Sequence, residues 1–190
     1  MASGDAIGMI ELTSVGIGCQ VQDAMLKAAS VRLHIARTIC SGKYIVIVGG
    51  NVAAVKASVA AGLDAAPDGV IDHMVIPNVH EDVFPALGAM VQVGVGAPRE
   101  AVPSLGVVET FSSASAIEAA DAAAKAANIK LYKLHLAMAL GGKGLVMMSG
   151  SVADCRTGVE AGAAVAREKG LLVSAVVIPR PSRELFGEYL

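Results

Sequence analysis

Three cysteines and four histidines are the residues of this 190-residue chain best suited to hold a metal or attack an electrophile. Cys40 stands out by position, in Thr38-Ile39-Cys40-Ser41-Gly42-Lys43, where an alternating apolar stretch gives way to a turn of small residues. A thiol followed closely by a lysine has the makings of a reactive or metal-ligating thiolate, because a nearby cation favours the ionised form. Cys155 stands at the position where the other half of the chain has Val55, on an apolar helical stripe, and Cys19 where it has Ile117, so both read as small hydrophobes of a core. His34, His73, His80 and His135 are scattered, with no pair at metal-ligand spacing. None lies in the Cys40 motif to act as its base, which leaves a cysteine-based enzyme without its second group. His80, ahead of Glu81-Asp82, reads as the start of a short helix. Gly49-Gly50 is too short for a dinucleotide fingerprint, and no Walker-type phosphate loop occurs.

The elements that must position Cys40 follow from periodicity. An apolar strand spans 7–13, a helix 21–29 carries Lys27 on its polar side, and a second strand alternates over 31–40. Ser41-Gly42-Lys43 turns the chain into a buried β-branched strand at 44–48. Asn51 is placed to cap a helix in which Val52, Val55, Val59 and Leu63 recur at helical spacing. A strand at 70–76 and a short helix at 81–87 complete the set. Strands alternating with helices over so short a span imply a compact sheet with helices on one side, a ferredoxin-like α+β arrangement.

This unit occurs twice. Glu11 matches Glu109 and Lys27 matches Lys125, both 98 residues on (109 − 11 and 125 − 27). Lys43 then matches Lys143, Gly50 matches Gly150 and Gly62 matches Gly162, 100 residues on, so the second copy has gained two residues between these points. Val75-Ile76-Pro77 matches Val177-Ile178-Pro179, and Phe84 matches Phe186, at 102. The stretch 94–103, with its prolines and glycines, reads as the joint, which places one domain at 1–96 and a second at 97–190. Glu11 and its copy Glu109 are read as structural carboxylates rather than a catalytic pair.

Composition narrows the partners. With 15 basic against 17 acidic residues, a net charge of −2 and no basic cluster, nucleic acid and anionic membranes are excluded as targets. The mean hydropathy of +0.61 arises from Ala and Val rather than aromatics, which are only 3% of the chain. Its uncharged runs are too short or too broken for a membrane span of about 20 residues, so the excess points to faces buried between subunits. The first residues lack the basic and apolar regions of a secretory leader, and three cysteines in such a chain are expected to stay reduced.

Taken in order, the opening Ile7-Gly8-Met9-Ile10-Glu11, the two Asp-x-x-x-Lys-Ala-Ala helices, the Gly42 turn and the closing Val177-Ile178-Pro179-Arg180-Pro181 resemble the bacterial microcompartment shell proteins. The match is to their tandem-domain type, in which a homotrimer imitates a hexagonal tile, and it covers nearly the whole chain. The resemblance implies a non-enzymatic protein of the microcompartment shell in the bacterial cytoplasm, packed laterally against other shell proteins. It also implies a central pore lined by Cys40, Ser41 and Gly42 of the first copy and Leu140, Gly141 and Gly142 of the second. Lys27, Lys125 and Arg180 become the tile-edge contacts, although the two lysines also fit an ordinary solvated helix face and Arg180 an ordinary surface arginine. The first copy departs from the pattern with Asn78 in place of that arginine.

The Cys40 turn is further similar to the pore turn of the propanediol-utilisation-type tandem shell proteins, which hold an iron-sulfur cluster with one cysteine per subunit. That family commonly shows proline where this chain has Ser41. By resemblance, one 4Fe-4S cluster per trimer is expected, ligated by Cys40, with a redox partner at the pore and Lys43 offsetting charge. Two other readings stay open: a shell trimer with a metal-free pore for small metabolites, and a cytosolic trimeric regulator that binds a ligand between subunits.

Overall fold

The computed structural model describes residues 6–88, 103–182 and 185. Within them the order of elements is β1 (Ala6–Leu12), α1 (Val15–Ala28), β2 (Arg32–Thr38), β3 (Tyr44–Gly50), α2 (Val52–Ala65), β4 (Val70–Ile76) and α3 (Val83–Leu87). The second copy follows as β5 (Ser104–Thr110), α4 (Ser113–Ala126), β6 (Lys130–Leu136), β7 (Gly144–Gly150), α5 (Val152–Glu168) and β8 (Leu172–Ile178). Each copy forms one antiparallel four-stranded sheet, ordered β2-β3-β1-β4 and β6-β7-β5-β8. Consecutive strands β1 and β2 are thus separated by β3, and the helices cross over one face, the ferredoxin-like α+β arrangement that the sequence implies.

All four long helices begin on a side-chain cap: Ser14, Asn51, Ser112 and Ser151 accept from the backbone N–H three residues on. The structure starts α1 at Val15, six residues before the expected Val21. Gly16 and Gly18 dilute the apolar periodicity of its first turns. Gly18 is there for space, since a Cβ would lie 2.4 Å from the Tyr44 ring.

Alternation along β1 sends Ile10 and Leu12 toward the helices, where they pack with Val21, Met25, Val46, Val48, Val55 and Val59. Gly8 faces the same way and leaves room for Val55 and Val59, whose methyls would stand 2.7 and 2.6 Å from an added Cβ. Ile7, Met9 and Glu11, on the opposite face, are also fully buried. The chain divides into two compact units, one formed by 6–79 with Ala137–Gly142, the other by His80–Leu136 with the chain from Lys143 on. The expected joint at 94–103, apart from Pro103, and Phe186 lie outside the described residues.

Candidate functional site

Strand β2 ends at Thr38, and the next residues fold into a single 3-10 turn, Cys40–Gly42, closed by a 2.9 Å hydrogen bond from the Ile39 N–H to the Lys43 carbonyl. Ser41 and Gly42 take positive φ values of 64° and 72°. Glycine does this freely, whereas serine accepts some steric cost. Ser41 and Gly42 are exposed, and the Cys40 side chain is only partly covered.

The segment Ala137–Gly142 belongs to the same unit and lies against this turn. It is two residues longer than its counterpart, which is where the offset between the copies changes from 98 to 100. Ala137, Ala139, Gly141 and Gly142 all have positive φ, at 60°, 58°, 63° and 91°. Repeated excursions of this kind turn backbone N–H groups toward one concave side, the geometry of an anion-binding nest. The concavity faces Cys40. The Ala139 N–H donates to Cys40 Sγ at 3.0 Å, and the Cys40 N–H donates to the Ala137 carbonyl at 3.3 Å. Partial desolvation pushes the Cys40 thiol up, but the N–H groups of Leu140, Ala139, Gly141 and Gly142 outweigh it and bring the thiol below its ordinary value. Four of the six expected pore residues, Cys40, Leu140, Gly141 and Gly142, therefore meet around one sulfur.

Lys43 is not among the groups that lower the Cys40 thiol. Its ammonium pairs with Glu11 Oε1 at 3.1 Å, and the lowering of the Cys40 thiol comes from backbone donors. The second copy repeats the pair as Lys143 and Glu109, 2.5 Å apart, with the Ser174 hydroxyl donating to the same carboxylate. Both glutamates act as anchors for the strand that follows the turn.

Cys155 is fully buried on α5 and its thiol donates to the Ser104 carbonyl, in line with its reading as a core residue. Cys19 contradicts the same reading: it is exposed on α1, although its counterpart Ile117 is fully buried. His80 behaves as expected, its Nδ1 accepting from the Asp82 N–H at the turn that leads into α3.

Lys27 and Lys125 each hold an aspartate one helical turn back, Asp23 at 2.6 Å and Asp121 at 2.7 Å. The two differ in setting, since the Lys27 side chain is 75% exposed and that of Lys125 is 42% exposed. Arg180 is exposed with φ of 50°, and Asn78 takes the same left-handed conformation at 60°. Asparagine adopts that region readily and arginine does not, so the backbone corner is common to both copies while the side chain it presents differs.

Among the described residues of one chain, no three His, Cys, Asp or Glu side chains come together as a metal site. One soft thiol in a nest of N–H donors does fit one corner of an iron-sulfur cluster, whose sulfurs accept such hydrogen bonds. Among the described residues of one chain, Cys40 is the thiol so placed.

Two antiparallel sheets of the same strand order, each with its helices on one face and a turn after its edge strand, repeat one α+β domain in tandem. The BMC domain family matches residues 6–79 and 104–181, and the chain belongs to it, with two copies in tandem. It is 43% identical over 183 residues, 96% of each chain, to the bacterial microcompartment shell protein PduT of Citrobacter freundii. A solved microcompartment protein from Desulfitobacterium hafniense DCB superposes with a TM-score of 0.85 and 43% identity, over 95% of this chain and 97% of that one. A fused permuted hexameric shell protein of the RMM microcompartment follows at 0.63 and 25%, over 86% and 84%. The chain is a structural shell protein of a bacterial microcompartment and not an enzyme. Among the described residues no helix is long and apolar enough to cross a membrane.

Proposed function

We propose that three copies close around a threefold axis into a pseudohexagonal tile, with Cys40 of each chain at the central pore holding one 4Fe-4S cluster. The observation that carries this reading is the nest at Ala137–Gly142, which aims N–H donors at the Cys40 sulfur and favours its thiolate, the form that ligates iron. Cys40 supplies the ligand, the donors from Ala139 to Gly142 hold it in place, and Ser41 and Gly42 shape the rim. A bound cluster would supply one-electron chemistry, letting electrons cross the shell to a redox partner at the pore.

Comparison of the copies supports assembly. Helix α1 buries three residues within the chain, whereas its counterpart α4 buries ten. Duplicated elements of one fold have the same need for cover, so the bare face of α1 is a face for another molecule. Lys27, Lys125 and Arg180 then lie at the tile edge, where the planar Arg180 fork suits carbonyls of a neighbouring tile.

Anaerobically purified protein tests the cluster. Iron and sulfide at about four of each per trimer, with broad visible absorption lost in Cys40→Ser while the trimer persists, are expected. Colourless trimers free of iron would leave a metal-free metabolite pore as the function. Electron microscopy of overexpressed protein tests the tile: flat sheets or tubes are expected, weakened by Arg180→Ala.

A further inference from the structure

We propose that the segment Ala137–Gly142 sets how readily the cluster at Cys40 accepts an electron, through the hydrogen bond that its backbone places on the Cys40 sulfur. This rests on the iron-sulfur reading above and adds which part of the chain fixes the reduction potential.

The two copies divide the work at this turn. Between β2 and β3 the chain runs through 39–43, whereas between β6 and β7 it runs through 137–143, two residues longer. The shorter turn carries the thiol and the longer one carries its donor. The Cys40 N–H donates to the Ala137 carbonyl at 3.3 Å, and the Ala139 N–H donates to Cys40 Sγ at 3.0 Å. Backbone and side chain of one cysteine are thus tied to the same short stretch, which holds Sγ toward it.

Packing does not account for the conformation of that stretch. Ala139 takes φ of 58° although it is exposed. A residue keeps a sparsely populated conformation only where its surroundings over-determine it. At Ala139 the described contact that does so is the bond to Sγ. Gly142, at φ of 91°, lets the far end of the segment lie close to Lys43, whose Nζ would stand 3.4 Å from an added Cβ. The segment is therefore held at both ends, at Cys40 and at Lys43, and the Ala139 N–H stays aimed at the sulfur.

Hydrogen bonds to the sulfurs are one of the levers that set the potential of an iron-sulfur centre. A donor interacts more strongly with the state of greater negative charge, which is the reduced one. Ala139 therefore favours uptake of the electron and raises the potential. Its counterparts in the other two chains of the tile act in the same direction.

A backbone ester at Ala139, with lactic acid in place of alanine, tests this, because an oxygen then replaces the N–H and the side chain is unchanged. Anaerobic potentiometric titration with dithionite, followed by electron paramagnetic resonance, is run on the parent, the ester protein and Ala139→Gly, which keeps the N–H. The ester should make reduction less favourable on the order of tenfold, a fall of about 59 mV for a one-electron couple, and Ala139→Gly should move the midpoint by less. An ester midpoint at or above that of the parent, or an Ala139→Gly shift as large as that of the ester, overturns the inference and leaves the cluster standing. Resonance Raman spectra of the parent decide the matter where the ester protein does not hold iron. The stretch of the bond between iron and the Cys40 sulfur should shift on exchange into deuterium oxide, and an unshifted band overturns the inference. A parent without iron and sulfide overturns the cluster and the inference together.

Discussion

Replacing Lys43 with Met separates the anchoring of the pore turn from the chemistry of its thiol. Lys43 Nζ lies 3.1 Å from Glu11 Oε1, with the Glu11 side chain 0% and the Lys43 side chain 24% exposed. At an effective dielectric of about 20, unit charges at this separation attract by roughly 5 kcal/mol, and desolvation offsets most of that. Removing one partner of a buried pair costs about 3–5 kcal/mol, because the remaining charge loses its counter-ion. The partly wet ammonium places Lys43→Met at the lower end, a loss of about 3 kcal/mol. Guanidinium unfolding at one fixed protein concentration reads it, since assembly contributes to stability by mass action. Glu11→Met with Lys43→Met should recover most of the loss, as both charges of the pair are then gone. In the same variants, carrying Cys19→Ser to silence the exposed thiol, the pH midpoint of Cys40 alkylation should stay where it was. A Lys43→Met protein as stable as its parent, or one whose Cys40 midpoint climbs to the ordinary value, would refute the division of labour drawn here.

Two further outcomes follow from the geometry. Cys40 alkylation in the Cys19→Ser protein should have its midpoint below the ordinary thiol value of 9.0. The sign is that of a depressed acid: the thiolate's hydrogen bonds contribute fully above 9.0, and their contribution is lost as pH falls through the lowered folded value. A midpoint at or above 9.0 would mean that the nest does not reach the sulfur. Gly62→Ala and Gly162→Ala test the close approach of the paired helices, with losses of about 1–3 kcal/mol expected from overpacking. The second should cost more, because its new Cβ would meet the Ala119 carbonyl oxygen at 2.7 Å, whereas at Gly62 it meets the mobile Met25 side chain and the Ile10 methyl. Thermal unfolding of the two variants ranks them.

Much of this architecture is legible in residue order because duplication states each signal twice. Strand β4 at Val70–Ile76 and the Asn51 cap appear where periodicity and cap chemistry put them. The change of offset between Lys27 and Lys43 locates the longer turn of the second copy before any coordinates do. The nest that this turn forms is invisible by the same means. Its working groups are backbone N–H donors, which every residue but proline carries, and it is built at Ala137 and Ala139, alanines whose composition suggests helix and whose φ values are left-handed. A lysine beside a cysteine is the louder signal, and it leads to the wrong group: Lys43 serves Glu11 instead.

The two cysteines assigned by comparing the copies show where duplication is a reliable control. Cys155 replaces Val55 inside a helix-on-sheet core, and both are fully buried, because that core is complete within each copy. Cys19 replaces Ile117 at the matching position of α1 and α4. There the copies diverge, with Ile117 buried and Cys19 exposed. Leu33 against Leu131 and Leu185 against Val83 diverge in the same way, and all three exposed members are apolar or nearly so. Equivalent positions share a fold but not a neighbour. Positions where equivalent side chains differ in exposure, such as Cys19 against Ile117, are therefore those where the burial of one copy does not carry over to the other.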